Sequence, residues 1–314
     1  MADRAALPVT SPALTMDGEK PRLMRQAALA AVAVAMILIL LKAVAYILTG
    51  SVAMMSSLAD SALDLFASTI NLFAINQSLV PADREHRFGH GKAEPLAGLA
   101  QGAFIAGSAT FLVVESIGRI AAPRPIDHPT IGLAVMAVSI MAVVGLVLFQ
   151  HIAVRQTGSI AIQADRLHYL GDLSTNIGVV IGILLASRFG IFRADPVVAL
   201  CVAGVLAASA WHVGKRSCDQ LMDRELPDGD RERIKSIVLA HPEVRSLHDL
   251  RTRAAGISKF VQLHIEMDPA ISLIRAHEIS DAVEADILAG YPDTQVIIHQ
   301  DPAGVEKPAP LARS

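Results

Sequence analysis

Six stretches of the chain are apolar for roughly 20 residues or more, the length that an α-helix needs to cross the hydrocarbon core of a bilayer. They cover residues 27–49, 52–77, 95–120, 130–152, 158–187 and 196–215. Hydrophobic residues make up 53% of the 314 residues and charged residues only 18%, a balance too apolar for a soluble protein of this length. The sequence therefore predicts six transmembrane helices.

The distribution of lysine and arginine between the loops predicts how the chain is oriented in the membrane. These residues are concentrated before the first span, between spans two and three, and at the end of span six, and they are fewer on the opposite side. Both termini are therefore predicted to be cytoplasmic. The net charge of -3 is small and the sequence has no basic block, so nucleic acid is not an expected partner.

The composition changes after Asp223, where the chain becomes charged and soluble in character. The pattern predicts a helix over 231–240, strands over 244–252 and 259–266, a helix over 272–289 and a strand over 295–299. This order makes a small α+β domain of the αββαβ type. We therefore predict a disordered cytoplasmic tail over 1–20, a six-helix transmembrane domain over 21–217, a cytoplasmic α+β domain over 218–302 and a disordered tail over 303–314.

Two of the spans carry ionisable residues at matched spacings. Asp60 and Asp64 lie four residues apart in span two and share one helix face, and His168 and Asp172 repeat that spacing in span five. A carboxylate at the centre of a transmembrane helix costs roughly 2.5–3.5 kcal/mol, and a divalent cation would offset that cost. Three carboxylates and one imidazole form a four-coordinate shell that suits Zn²⁺, with Cd²⁺, Fe²⁺, Co²⁺ and Mn²⁺ as alternatives.

The competing interpretation of these acids is that they face a water-filled cavity, or stay protonated, and bind no metal. If they do bind metal, the carboxylates must be deprotonated and the imidazole neutral, so protons and metal compete for one site. Histidine titrates near neutral pH, which makes such an exchange feasible on both faces of a membrane. We therefore hypothesise an exchange of metal for protons.

Two further groups of residues are candidates for metal binding. Asp83, His86 and His90, in the loop after span two, follow a three-then-four spacing that predicts a second, more exposed site; an ordinary solvated loop is the alternative. In the cytoplasmic domain the candidate ligands lie at the edges of predicted elements, and histidines scattered in this way are either ligands or structural and solvent-facing groups. These candidates are His248, His264, His277, His299 and Asp301.

Several functions are compatible with these features. A transporter of divalent metal ions uses all of them, with no organic cofactor and no enzymatic step. A metal sensor or storage protein would use only the cytoplasmic histidines, with the spans as an anchor. A membrane hydrolase would need an open coordination position for water, and a closed set of four ligands disfavours it. Passive metal flux without protons is the alternative among transporters.

The chain resembles the cation diffusion facilitator family, and within it the bacterial exporters of zinc and iron. The segments that carry this resemblance are 50–64, 81–83, 88–94 (FGHGKAE), 167–169 with Asp172, 248–253 (HDLRTR) and 297–302 (IIHQDP). The resemblance implies a homodimer in the bacterial inner membrane, six transmembrane helices and a metallochaperone-like cytoplasmic domain. It also implies alternating access and an antiport of zinc against protons.

The resemblance further implies a role for each group of candidate residues. The transport site is Asp60, Asp64, His168 and Asp172, a set that resembles the zinc and cadmium pattern of the family; the loop site is Asp83, His86 and His90. The site at the dimer interface is His248, His264, His277, His299 and Asp301, where zinc would be structural or regulatory, with Gln300 as a possible helper. Lys92 and Asp223 match an ion pair that holds the dimer together near the membrane surface.

Overall fold

The structure is a computed structural model that describes residues 18–49, 52–121, 129–189 and 194–305. Most of the two predicted tails lies outside these ranges. The first part of the chain forms six long helices, α1 (Glu19–Thr49), α2 (Val52–Ser78), α3 (Ala93–Ala121), α4 (Pro129–Thr157), α5 (Ile160–Phe189) and α6 (Ala194–Leu221). The second part forms α7 (Asp228–Leu239), β1 (Ser246–Ala255), β2 (Ser258–Met267), α8 (Leu273–Gly290) and β3 (Thr294–Pro302). The predicted fold class is confirmed.

The six long helices pack as a bundle whose outward faces are apolar. Among the described residues, five of the six are long and apolar enough to cross a membrane; α5, which carries Asp165, His168 and Asp172, does not meet that criterion. Large apolar side chains are exposed on several helices, including Ile47, Phe73 and Trp211. Such a surface suits contact with lipid rather than with water.

The cytoplasmic domain is a three-stranded sheet in the order β1-β2-β3, with β1 antiparallel and β3 parallel to β2. Val261, Leu263 and Ile265 alternate along β2 and form one core with residues of α7 and α8. Both helices therefore cover the same face of the sheet. The residues between these apolar ones, such as His264, lie on the opposite, open face, because successive strand side chains point to opposite sides.

The turn between β1 and β2 docks against the membrane domain at the start of α3. A Cβ atom on Gly91 would lie 2.2 Å from the carbonyl oxygen of Ala255, so only glycine permits this approach of the two backbones. Gly256, which has φ +61, lies close to the carboxylate of Glu94 on α3. Ile257 packs against the apolar core shared by the helices of the bundle. The sheet is therefore seated directly on the bundle.

We predict that Gly91→Ala lowers the thermal midpoint of the full chain in detergent. The added methyl group meets backbone rather than a flexible side chain, so the cost should reach the range of about 1–3 kcal/mol that is typical of overpacking. Gly145→Ala in α4 is the matched control, because a Cβ atom there has nothing within 4 Å. If both variants melt like the native chain, the close docking is wrong.

Candidate metal centres

One histidine joins two helices inside the bundle. His168 Nε2 on α5 lies 3.1 Å from Asp64 Oδ1 on α2 and 3.8 Å from Asp172 Oδ2, one turn further along α5. The imidazole is 7% exposed, and each of the three residues offers a ligand atom within 4.8 Å of the others. Two sequence-distant helices thus contribute to one group that could hold a metal ion.

Asp60 lies one turn away from Asp64 along α2, is exposed, and falls outside this three-residue group. Its role as a fourth ligand stays a prediction. Lys42 on α1 turns inward and donates from Nζ to Ser61 Oγ at 2.6 Å and to the carbonyl oxygen of Ser57 at 3.2 Å. A cation on a third helix therefore lies beside the acidic face of α2.

A tyrosine next to His168 fixes α5 against its neighbours. The hydroxyl of Tyr169 is 2.9 Å from Ser68 Oγ on α2 and donates to the carbonyl oxygen of Ala31 on α1 at 3.4 Å. Tyr169 is 1% exposed, and its buried hydroxyl needs such partners. This contact joins three helices and restricts the position of the neighbouring imidazole.

The loop between α2 and α3 brings Asp83, His86 and His90 together. Asp83 Oδ1 accepts from the backbone N–H groups of His86 at 2.6 Å and Glu85 at 2.9 Å, and Oδ2 lies 3.4 Å from His90 Nε2. The backbone N–H of His86, helped by that of Glu85, holds the pKa of Asp83 below its usual range. The carboxylate is therefore ionised and fixed in place, as a metal ligand needs to be.

The sheet register places three histidines side by side on its open face. His248 on β1 pairs with His264 on β2, and His264 pairs with His299 on β3. Asp301, which is 3% exposed, lies at the centre: its Oδ2 is 2.8 Å from His264 Nδ1 and 3.3 Å from His248 Nε2, and its Oδ1 is 3.1 Å from His299 Nε2. These four predicted residues form one cluster.

Two residues that the sequence analysis assigned to this cluster lie outside it, on the side of the sheet that α8 covers. His277 is on α8 and is exposed, with its Nε2 3.5 Å from Asp281, because α8 covers the other face of the sheet. Gln300 also points to that face and donates to Ser280 on α8 at 2.8 Å. Gln300 therefore does not assist the cluster here, and a role for His277 would require a second copy of the chain.

The predicted Lys92–Asp223 ion pair forms within one chain. Lys92 Nζ lies 3.0 Å from Asp223 Oδ1, which also accepts from Arg253 at 3.2 Å. The guanidinium of Arg253 lies over the rings of Phe88 in the loop, at 5.0 Å, and Phe260 on β2, at 4.4 Å. The loop, the end of α6 and the sheet therefore meet at one arginine.

Sequence reasoning missed two of these functional candidates. Arg253 is the last residue of the HDLRTR segment, and its spacing in the sequence does not predict a contact with the loop between α2 and α3. Asp165 is fully buried in α5, and the signal for it was present: Asp165, His168 and Asp172 follow the i, i+3, i+7 spacing of one helix face.

We predict that Asp223→Asn lowers the thermal midpoint of the full chain at pH 7. Burial raises the pKa of Asp223, but the contacts with Lys92 and Arg253 outweigh it and hold the pKa below its usual value. A depressed pKa contributes stability above the unfolded pKa of about 3.9 and loses it as the pH falls through the folded value. The deficit should therefore be constant from neutral pH down to about pH 5 and shrink below about pH 4.

Asparagine suits this test because it tolerates the left-handed backbone of Asp223, which has φ 57. Asp286→Asn on the exposed face of α8 is the control, measured in the same detergent over the same pH series. A deficit that persists unchanged at low pH would show that the ion pairs are not its cause.

The comparisons with known proteins cover nearly the whole chain. Residues 28–222 match the family described as the cation efflux transmembrane domain, and residues 226–303 match the cytoplasmic domain of cation efflux proteins. Over 290 residues the chain is 44% identical to the cation-efflux pump FieF of Cronobacter sakazakii and 43% identical to that of Serratia proteamaculans, covering 92% of this chain and 96% of each relative.

Among solved structures, the metal-bound C-terminal domain of the CzcD transporter from Thermotoga maritima is 30% identical, with a TM-score of 0.24, over 25% of this chain and 93% of that one. The resemblance found in the sequence is confirmed by the two family matches and the FieF relatives. The protein is accordingly a multi-pass membrane transporter and not an enzyme. It belongs to the cation efflux, or cation diffusion facilitator, family.

Proposed function

We propose that the protein exports divalent transition-metal ions from the cytoplasm in exchange for protons by alternating access, with Zn²⁺ as the main cargo and Cd²⁺ and Fe²⁺ as further ones. We place it in the bacterial inner membrane as a homodimer, with both termini in the cytoplasm. The observation that carries this proposal is the position of His168 between Asp64 and Asp172. The named function of the relatives, cation efflux, agrees with it.

The coupling follows from one nitrogen atom. With a proton on Nε2, His168 donates to Asp64 Oδ1 at 3.1 Å and the group is stable without metal. A metal ion needs the lone pair of that same nitrogen, so it can bind only after the proton has left. Proton and metal therefore exclude one another. Asp60 would complete the tetrahedral set of ligands that Zn²⁺ prefers.

The loop and sheet clusters are proposed as additional metal sites that regulate transport or stabilise the dimer. In the sheet cluster His299 is 59% exposed in its side chain, so the cluster opens to the face that α7 and α8 leave uncovered. A second copy of the chain packed on that face could supply its His277 as a further ligand. The Lys92–Asp223 pair would then stiffen the junction of the dimer with the membrane.

We predict that Asp172→Asn abolishes zinc flux into proteoliposomes under a pH gradient. The substitution removes a charged ligand while keeping size, and its effect should exceed about tenfold, the loss that removal of even an outer-shell partner can cause. Asp228→Asn, a carboxylate with 95% of its side chain exposed, is the control. If zinc flux through the native protein does not respond to the pH gradient, passive transport without proton coupling is the better explanation. No native flux under any gradient would favour the metal-sensor alternative.

We predict that His264→Ala lowers the number of zinc ions bound per chain by one in equilibrium dialysis at fixed free zinc. His86→Ala should remove a different ion, and the double variant should lose both, because the two clusters share no residue. His241→Ala is the control, since that ring accepts a local bond from the N–H of Glu243 and belongs to neither cluster. Unchanged stoichiometry in His264→Ala would remove the sheet cluster from the set of metal sites.

A further inference from the structure

A buried carboxylate that has no assigned role lies between the transport site and the cytoplasmic domain. Asp165 is fully buried in the second turn of α5 and shares a face with His168 and Asp172. It lies toward the end of α5 that touches Glu94, whose Oε1 accepts from the backbone N–H of Ala161 at 3.4 Å. Because Glu94 also borders the sheet at Gly256, this is the cytoplasmic end.

The partners of Asp165 on α3 and α4 are neutral donors. Gln150 Nε2 on α4 donates to Oδ2 at 2.6 Å, and Gln101 Nε2 on α3 donates to Oδ1 at 3.4 Å. Among the described residues, the groups that act most strongly on Asp165 include no lysine or arginine. The titratable groups that face Asp165 are His168 and Tyr169 on α5 and Asp64 on α2. The hydroxyl of Ser68 on α2 also faces this carboxylate.

This arrangement can hold the carboxyl group with or without a proton. A buried carboxylate without a cation is costly, and the amide N–H groups of the glutamines lower that cost. If Asp165 takes up a proton, its O–H needs an acceptor, and Gln150 has one: its Oε1 is buried and has no hydrogen-bond partner in the part of the chain that the structure describes. Rotation of the amide exchanges donor for acceptor. A carboxylate that stays ionised needs only donors around it and would not require an amide that can also act as an acceptor.

We infer that Asp165 is a proton carrier on the cytoplasmic side of the transport site. When metal binds to His168 Nε2, the N–H bond breaks, and the proton forms an O–H bond at Asp165 and then passes to cytoplasmic water. Asp165 and His168 lie at positions i and i+3 on one face of α5, which corresponds to about 4.5 Å of axial rise, so the path for the proton is short. This inference rests on the proton exchange proposed above.

The test compares native protein and Asp165→Asn in proteoliposomes, with zinc flux measured against the pH on the side of the cytoplasmic domain. Asparagine keeps the size and a hydrogen-bonding oxygen but cannot carry the proton. Zinc binding to the detergent-solubilised variant should stay within about threefold of native, since the metal ligands are untouched, whereas gradient-driven flux should fall about tenfold or more and lose its pH dependence. Asp286→Asn serves as the control.

Each outcome decides between distinct explanations. Native flux that does not respond to pH overturns the proposed exchange itself. Coupled native flux with the same rate and pH profile in Asp165→Asn overturns the inference and leaves Asp165 as a hydrogen-bonding group. Loss of zinc binding in that variant also overturns it, because Asp165 would then act on the metal site.

A second variant keeps the inference testable if Asp165→Asn does not fold. Gln150→Leu removes the shorter donor to the carboxylate and leaves Asp165 itself in place. Because a carboxylate with one donor fewer holds a proton more readily, the midpoint of the flux against pH should move to higher pH. An unchanged midpoint in a folded Gln150→Leu variant overturns the inference.

Discussion

The contact between His168 and two carboxylates on different helices is the constraint on which the bundle depends. Ionisable groups inside a membrane domain are stable only when they satisfy one another or hold a cation. Asp64 on α2 and Asp172 on α5 both contact the imidazole of His168, and the Asp64 contact holds α2 within hydrogen-bonding distance of α5. The Ser68–Tyr169 bond and the Lys42–Ser61 bond support that geometry from neighbouring turns.

The loop cluster and the sheet cluster are connected through a short piece of chain between α2 and α3. The loop that holds Asp83 and His90 runs directly into the segment that touches the sheet, and the sheet carries the histidine row. Arg253 contacts this loop and the end of α6 at once. The loop cluster and the sheet that carries the histidine row therefore meet at one junction, where α3 begins.

Much of this architecture could be predicted from the sequence because the signals are local. Apolar length gave the long helices, and the four-residue spacings gave the faces of α2 and α5. The row of histidines could be predicted only in part, because the parallel pairing that aligns His264 with His299 depends on the crossover through α8. Strand alternation is enough to place Gln300 on the face opposite His299 and Asp301. The distance of His277 from the cluster depends instead on which face of the sheet α8 covers, and strand alternation does not decide that.

The seating of the β1–β2 turn on the bundle has a consequence for how the protein can be dissected. Ile257 is partly buried and packs against the apolar core of the helical domain, and Gly91 permits a backbone contact with Ala255 that any side chain would block. A fragment that begins after α6 would expose Ile257 and the β1–β2 turn to water, because the helices that normally contact them would be missing. The self-association of such a fragment would then depend on this newly exposed apolar surface as well as on metal binding.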